Sequence, residues 1–157
     1  MVKMQTDRVL AAVEALGAAC WTGASAGFAF VSAPLAFELV EDRDAFARLT
    51  ERSLARLAAL ANVSGGIAVA AAALRGAPLR AGAGMTALTL ITYHQRAIVP
   101  EMTRLQVEMG SLNGVTDDDP RRAAYRAAHR TSTRVFGGAL LLGVLQLALA
   151  ASCAKRR

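Results

Sequence analysis

The chain has 157 residues, 54% of them hydrophobic and only 19% charged, with a formal net charge of +6. Its mean hydropathy of +0.35 is too high for an ordinary soluble domain, and its pI is about 10.3. The basic balance does not indicate nucleic acid, because the Arg residues fall between apolar runs and not on one face; anionic lipid headgroups are their expected partner.

Residues 15–37, 57–74 and 135–154 contain no charged residue. A bilayer core of about 30 Å needs roughly 20 apolar residues in helix, so each run is long enough to span it. A fourth run, residues 81–93, is shorter and ends at His94, Gln95 and Arg96.

The first helix is expected to start near Thr6 and Asp7 and to span about residues 9–37, with a tolerable kink at Pro34. Lys3 and Arg8 ahead of an apolar run, and Cys20 behind small residues, raise a secretory or lipoprotein signal. Asp7 and Glu14 interrupt that pattern and further spans follow, so a retained helix fits better. Gly23 and Gly27 form a GxxxG pair, extended by Gly17, that reads as a packing face. Glu14 is a carboxylate inside the span, a proton- or ion-pathway candidate by default. Neutralisation by Arg8 or a C-terminal basic residue, a structural role, is the preferred reading.

Residues 42–56 read as an amphipathic helix, with Phe46, Leu49, Ser53 and Leu57 on one face and Arg48, Arg52 and Arg56 on another. The basic stripe suits a phosphate-bearing ligand, but a solvated or headgroup-facing edge is the simpler reading. The second span, 57–74, carries Asn62, Ser64, Gly65 and Gly66. Residues 75–80 leave room only for a tight hairpin into the third span, 81–99. Helix should continue past Pro100, because Ile98, Met102, Leu105 and Met109 keep a 3–4 spacing. A loop follows at 110–119. Asp119 and Pro120 then make a good start for the last helix, which contains the span 135–154. Its first part has Arg122, Arg126, Arg130 and Arg134 at four-residue spacing, while Tyr125, His129, Ser132 and Phe136 share a face expected to point into the bundle. Cys20 and Cys153 would lie at different depths, so no disulfide joins them.

The expected fold is therefore a single-domain, all-α integral membrane protein: a four-transmembrane-helix bundle with helices three and four extending beyond the bilayer. The two longer connections hold eleven Lys and Arg against seven elsewhere, which places those connections inside and both termini outside. Lys155, Arg156 and Arg157 argue the other way.

Candidate chemistry is sparse. Arg96 near a span end is either an interfacial anchor or a fork for a carboxylate or phosphate. His94 and His129, the only histidines, come from neighbouring helices and are a weak alternative for a metal or haem site. Two interfacial hydrogen-bonding groups are the simpler reading. No nucleophile with a base and an orienting acid is present, so no enzyme and no cofactor are expected.

The order of these features suggests a family: Phe30-Val31-Ser32 in a Gly- and Trp-containing first span, Arg96-x-x-x-Pro100, and Tyr125-x-x-x-His129-x-x-Ser132 leading into the last span. The chain resembles the transmembrane protein 205-like family, a four-span domain of unknown function, over nearly its whole length. The resemblance implies an integral membrane protein without established enzymatic activity, in which Arg96, Pro100, His129 and Ser132 stand at family-typical positions. His94 departs from the pattern, which counts against a paired-histidine site.

Two functional classes lead, with a haem- or metal-binding bundle using His94 and His129 as the third. The first is a non-enzymatic accessory, assembly or stress-related subunit of the bacterial inner membrane, whose Gly23/Gly27 and Gly137/Gly138 surfaces support a homo-oligomer or another membrane subunit. The second is a small transporter or ligand-binding protein whose polar site joins Arg96, His129, Ser132, Tyr93 and Asn62.

Overall fold

The structure, a computed structural model, describes residues 2–154, and the side chains of residues 3–152. The expectations for Cys153 and for the basic residues 155–157 lie outside the described side chains. Four long helices make up 89% of the chain, with no strand among the described residues. Helix α1 comprises Val2–Gly27, a π-helical turn Phe28–Ser32 and Ala33–Leu39; α2 comprises Arg43–Leu60, a π-helical turn Ala61–Gly65 and Gly66–Leu74. Helix α3 comprises Pro78–Tyr93, a π-helical turn His94–Ile98 and Val99–Met109, and α4 is Pro120–Ala154.

Two of the three π turns directly precede a proline, Pro34 or Pro100. Proline lacks an amide proton and its ring crowds the carbonyl four residues back, so widening the preceding turn lets the helix continue instead of breaking. In α2 there is no proline; there the Ser64 hydroxyl donates to the Leu60 carbonyl at 2.7 Å.

The connections enforce antiparallel neighbours. Asp42 caps α2 by accepting from the Asp44 amide at 2.9 Å. Gly76 (φ 64°) closes the α2–α3 hairpin and Gly110 (φ 75°) ends α3 in the left-handed region where glycine alone is unstrained. Asp119 accepts from the Arg121 amide at 2.7 Å, so α4 starts at Pro120 as the sequence predicts.

The core is made of small residues around one large one. Trp21 packs with Ala58, Ala61, Ala87, Ile91 and Ala139. The indole fits because glycines flank it: a Cβ at Gly65 would lie 3.2 Å from the ring, and one at Gly143 only 2.6 Å. Helix α3 buries an unbroken stripe of Arg80, Gly84, Ala87, Ile91, His94 and Ile98, continuing through Leu105 and Met109 beyond Pro100.

The expected packing face at Gly23 and Gly27 is corrected. A Cβ at either would meet nothing within 4 Å, whereas Gly17 would meet the Ser64 carbonyl oxygen at 2.5 Å. The close approach of α1 to α2 is therefore at Gly17. The face expected for 42–56 also turns. Leu49 is 48% exposed, while Phe46, Thr50, Glu51 and Leu54 face inward and Arg48, Arg52 and Arg56 are exposed.

Helices α1, α2 and α4 are long and apolar enough to cross a membrane. Their outer surfaces are apolar to match, with Leu16, Phe30, Leu74 and Leu141 all exposed. Helix α3 falls short of the same measure, because Arg80, three threonines and the His94–Arg96 segment dilute its apolar run.

Candidate functional site

At the end of the bundle carrying the two longer connections, the helices separate around a cavity of about 370 Å³. Large side chains keep them apart. Phe37 of α1, Phe46, Thr50, Glu51 and Leu54 of α2, Val99, Met102 and Gln106 of α3, and Tyr125 and His129 of α4 line its wall. Phe37 and Phe46 meet edge to face at 5.4 Å. Most of the lining is apolar carbon, the character of a small-molecule site.

The inner end of this cavity is a polar pair. The π turn of α3 brings His94 to 2% exposure. There its Nε2 lies 2.7 Å from the hydroxyl of buried Ser132 on α4. Phe136 stacks obliquely on the imidazole at 6.3 Å. The next residue, Gln95, donates to the Leu54 carbonyl of α2 at 3.1 Å, so one widened turn joins α3 to both neighbours.

The outer end is closed by the α3–α4 loop, which contributes Leu112 to the lining. Asp44 holds it from α2, accepting from the Leu112 amide at 2.7 Å and the Ser111 hydroxyl at 2.6 Å. The Asn113 amide donates to Asp42 at 2.8 Å. From α4, the Arg122 guanidinium donates to the carbonyls of Leu112 (2.9 Å) and Val115 (2.6 Å) and pairs with Asp117 at 2.9 Å. Arg126 reaches the same Asp117 carboxylate at 3.0 Å.

Electrostatics follow from these contacts. The Asn113 side chain first, then the Ala45 and Asp44 amides, hold the Asp42 carboxyl below its usual value. Arg121 holds Asp119 down to about 2. Burial, with the charges of Glu51 and Asp44 added, pushes the Tyr125 phenol up.

Of the residues expected to form one ligand site, His129 and Ser132 reach this cavity and Arg96, Tyr93 and Asn62 do not. The last three are exposed on the outside of the bundle. The π turn explains Arg96: it commits His94 to the interior, so the residue two positions on faces outward. Both histidines touch the cavity, but no cluster of three or more metal-ligating side chains exists among the described residues.

The opposite end of the bundle holds a second polar group. Glu14, fully buried on α1, pairs with Arg75 at 2.6 Å and Arg80 at 3.1 Å, both from the α2–α3 hairpin. The expected partner Arg8 is exposed instead, and the described partners come from the hairpin, which returns the chain to the level of Glu14. Arg80 Nε lies off the hydrogen-bond angle to Glu14, and its Nη1 and both amide atoms of buried Gln146 have no hydrogen-bond partner among the described residues. Gln146 packs against Gly84, one turn beyond Arg80.

The residues that sequence reasoning missed are Glu51, Asp44, Thr50 and Arg122. A signal for Glu51 existed: Ala47, Glu51, Leu54 and Ala58 keep the 3–4 spacing of a buried face.

No curated protein and no solved structure shows significant similarity to the chain. Residues 16–111, which run from the first span through α3, match a family described as a domain of unknown function (DUF4149). Tyr125, His129 and Ser132 lie beyond that match and complete the cavity from α4. With three helices long and apolar enough to cross a membrane, the chain belongs to the DUF4149 family.

Proposed function

We propose that this chain is a non-enzymatic, four-span protein of the bacterial inner membrane, as the transmembrane protein 205-like resemblance implies, and that its cavity binds an apolar small molecule. The cavity supports the binding reading: it is bounded by four helices and a latched loop, and it is lined by aromatic and aliphatic side chains around the His94–Ser132 pair.

The polar groups of α3 support its crossing with the other three. Arg80 and His94 are turned into the bundle. Thr86 and Thr89, on the outer face, donate to the carbonyls four residues back, at 2.9 Å each. A helix whose polar groups are satisfied internally is compatible with lipid.

A photoactivated apolar carbene reagent in nanodiscs tests the binding reading. Labelling is expected at Phe46, Met102 and Tyr125, and it should fall in Thr50→Phe, which fills the cavity. Labelling confined to outward residues such as Leu16 and Leu141 would overturn the reading. A second reading, an accessory or assembly subunit, is favoured by Gly23, Gly27 and Gly137, where an added Cβ meets nothing. These positions leave room for a partner helix or a second copy.

A further inference from the structure

The charges around the cavity are not equally free. Arg122 and Arg126 are committed to loop carbonyls and to Asp117. Asp44 is committed to the loop through Ser111 and Leu112. The Arg43 guanidinium lies at the mouth over the Phe37 ring, 4.2 Å from its centroid. These groups build the closure, and the acids and bases among them largely cancel.

Glu51 is different. It is half-buried in the cavity wall, and its one polar contact is a hydroxyl, Thr103 Oγ1 at 3.4 Å. No cation lies within ion-pair distance of it among the described residues. The nearby Arg104 is held by Glu101 and Glu108 instead. A half-buried carboxylate without a cation is costly, because lost hydration is not replaced. Its field reaches across the cavity, since it is one of the charges acting on Tyr125.

The surroundings suit a positive charge on an apolar body. Phe46 and Tyr125 line the cavity, and aromatic rings attract a cation electrostatically over their faces. Leu54, Val99 and Met102 supply apolar contact. An anion would meet only the Arg43 guanidinium at the mouth, held over the Phe37 ring and within 3.5 Å of the Phe37 carbonyl, because Arg122 and Arg126 are engaged with the loop and Asp117.

We infer that the cavity takes a monovalent organic cation, an ammonium head on an apolar body, with Glu51 as the group that binds the charge. The inference rests on the reading that the cavity is a binding site, and the test separates the two. Benzyltrimethylammonium, its carbon analogue neopentylbenzene and the anion benzenesulfonate are titrated against the full chain in an uncharged maltoside detergent, read by calorimetry.

Benzyltrimethylammonium should bind at least tenfold more tightly than the other two. Glu51→Gln should remove that advantage, with a melting temperature no lower than the parent's and neopentylbenzene still bound, and Glu51→Asp should restore part of it. Equal binding of cation and neutral analogue, preference for benzenesulfonate, or a cation advantage that survives in Glu51→Gln would overturn the cation assignment with the cavity still standing. Binding of none of the three, with carbene labelling confined to the outer face, would overturn the cavity reading and the cation assignment with it.

Discussion

The two ends of this bundle are built from opposite materials. At the hairpin end, Gly17, Gly84 and Gly143 let helices approach until an added Cβ would collide with a neighbour. A carboxylate buried there is clasped by two arginines. At the loop end, Phe37, Phe46, Met102 and Tyr125 hold the helices apart, and Glu51 is left without a cation. Residue volume thus decides where the bundle is closed and where it is hollow. It also decides which carboxylate is structural and which is available to a ligand.

The most direct way to break this contrast is at Glu14. Glu14→Gln preserves shape but leaves Arg75 and Arg80 buried without a counter-charge. Breaking one side of a buried pair costs about 3–5 kcal/mol, the largest effect expected anywhere in the chain. Equilibrium unfolding in mixed micelles should show it. A variant within about 1 kcal/mol of the parent would mean that water reaches this end and that the contrast with the cavity is false.

The glycines sharpen the same comparison at smaller scale. Gly143→Ala would place a methyl 2.6 Å from the Trp21 ring and from Thr22 Oγ1, and overpacking of this kind costs about 1–3 kcal/mol. Gly23→Ala meets open space, and removing a helix-interior glycine there should stabilise by about 0.5–1 kcal/mol. Parallel melts of the two variants decide it. If both destabilise equally, the close packing is not localised at the hairpin end.

How much of this was legible in the sequence depends on which physical signal each feature leaves. Long charge-free runs announce helices, and the Asp119–Pro120 start and the continuation past Pro100 follow from local capping and periodicity. The GxxxG pair misleads, because small residues permit close packing without specifying which pair uses it. Glu14 was visible as an intramembrane carboxylate, but its partners arrive through a tertiary hairpin that no local pattern encodes. Glu51 was hidden for the converse reason: in a segment rich in Arg and Glu it reads as surface, and only the pairing of Arg104 with other acids shows that it has no cation. Arg96 and His129 do not share a cavity, because His94 takes the inward position on α3 and Arg96, two residues on, falls on the opposite face. Periodicity allows only one of the two to face inward, and the sequence alone does not say which.

The smallest expected effect is at the loop latch, and it depends on pH. Asp119 has a carboxyl depressed to about 2 by Arg121, and Asp42 is lowered by Asn113 and two backbone amides. A depressed carboxyl contributes stability that is fully present above its unfolded value, 3.8 for Asp. For Asp119 that contribution is lost as pH falls from there through about 2. Asp42 is exposed and Asp119 half-buried at the surface, so the effect should be local and salt-sensitive and should not unfold the bundle. Hydrogen exchange at the amides of 110–119 should therefore gain opening relative to α4 as the solution is acidified, after correction for intrinsic exchange rates. Asn113→Ala should bring that opening to higher pH, because it removes the largest cause of the Asp42 depression and a tie from loop to α2. The hairpin end, close-packed at Gly17, Gly84 and Gly143, should stay closed over the same range. If both ends open together, the loop is not an independently latched element and the cavity has no closure of its own.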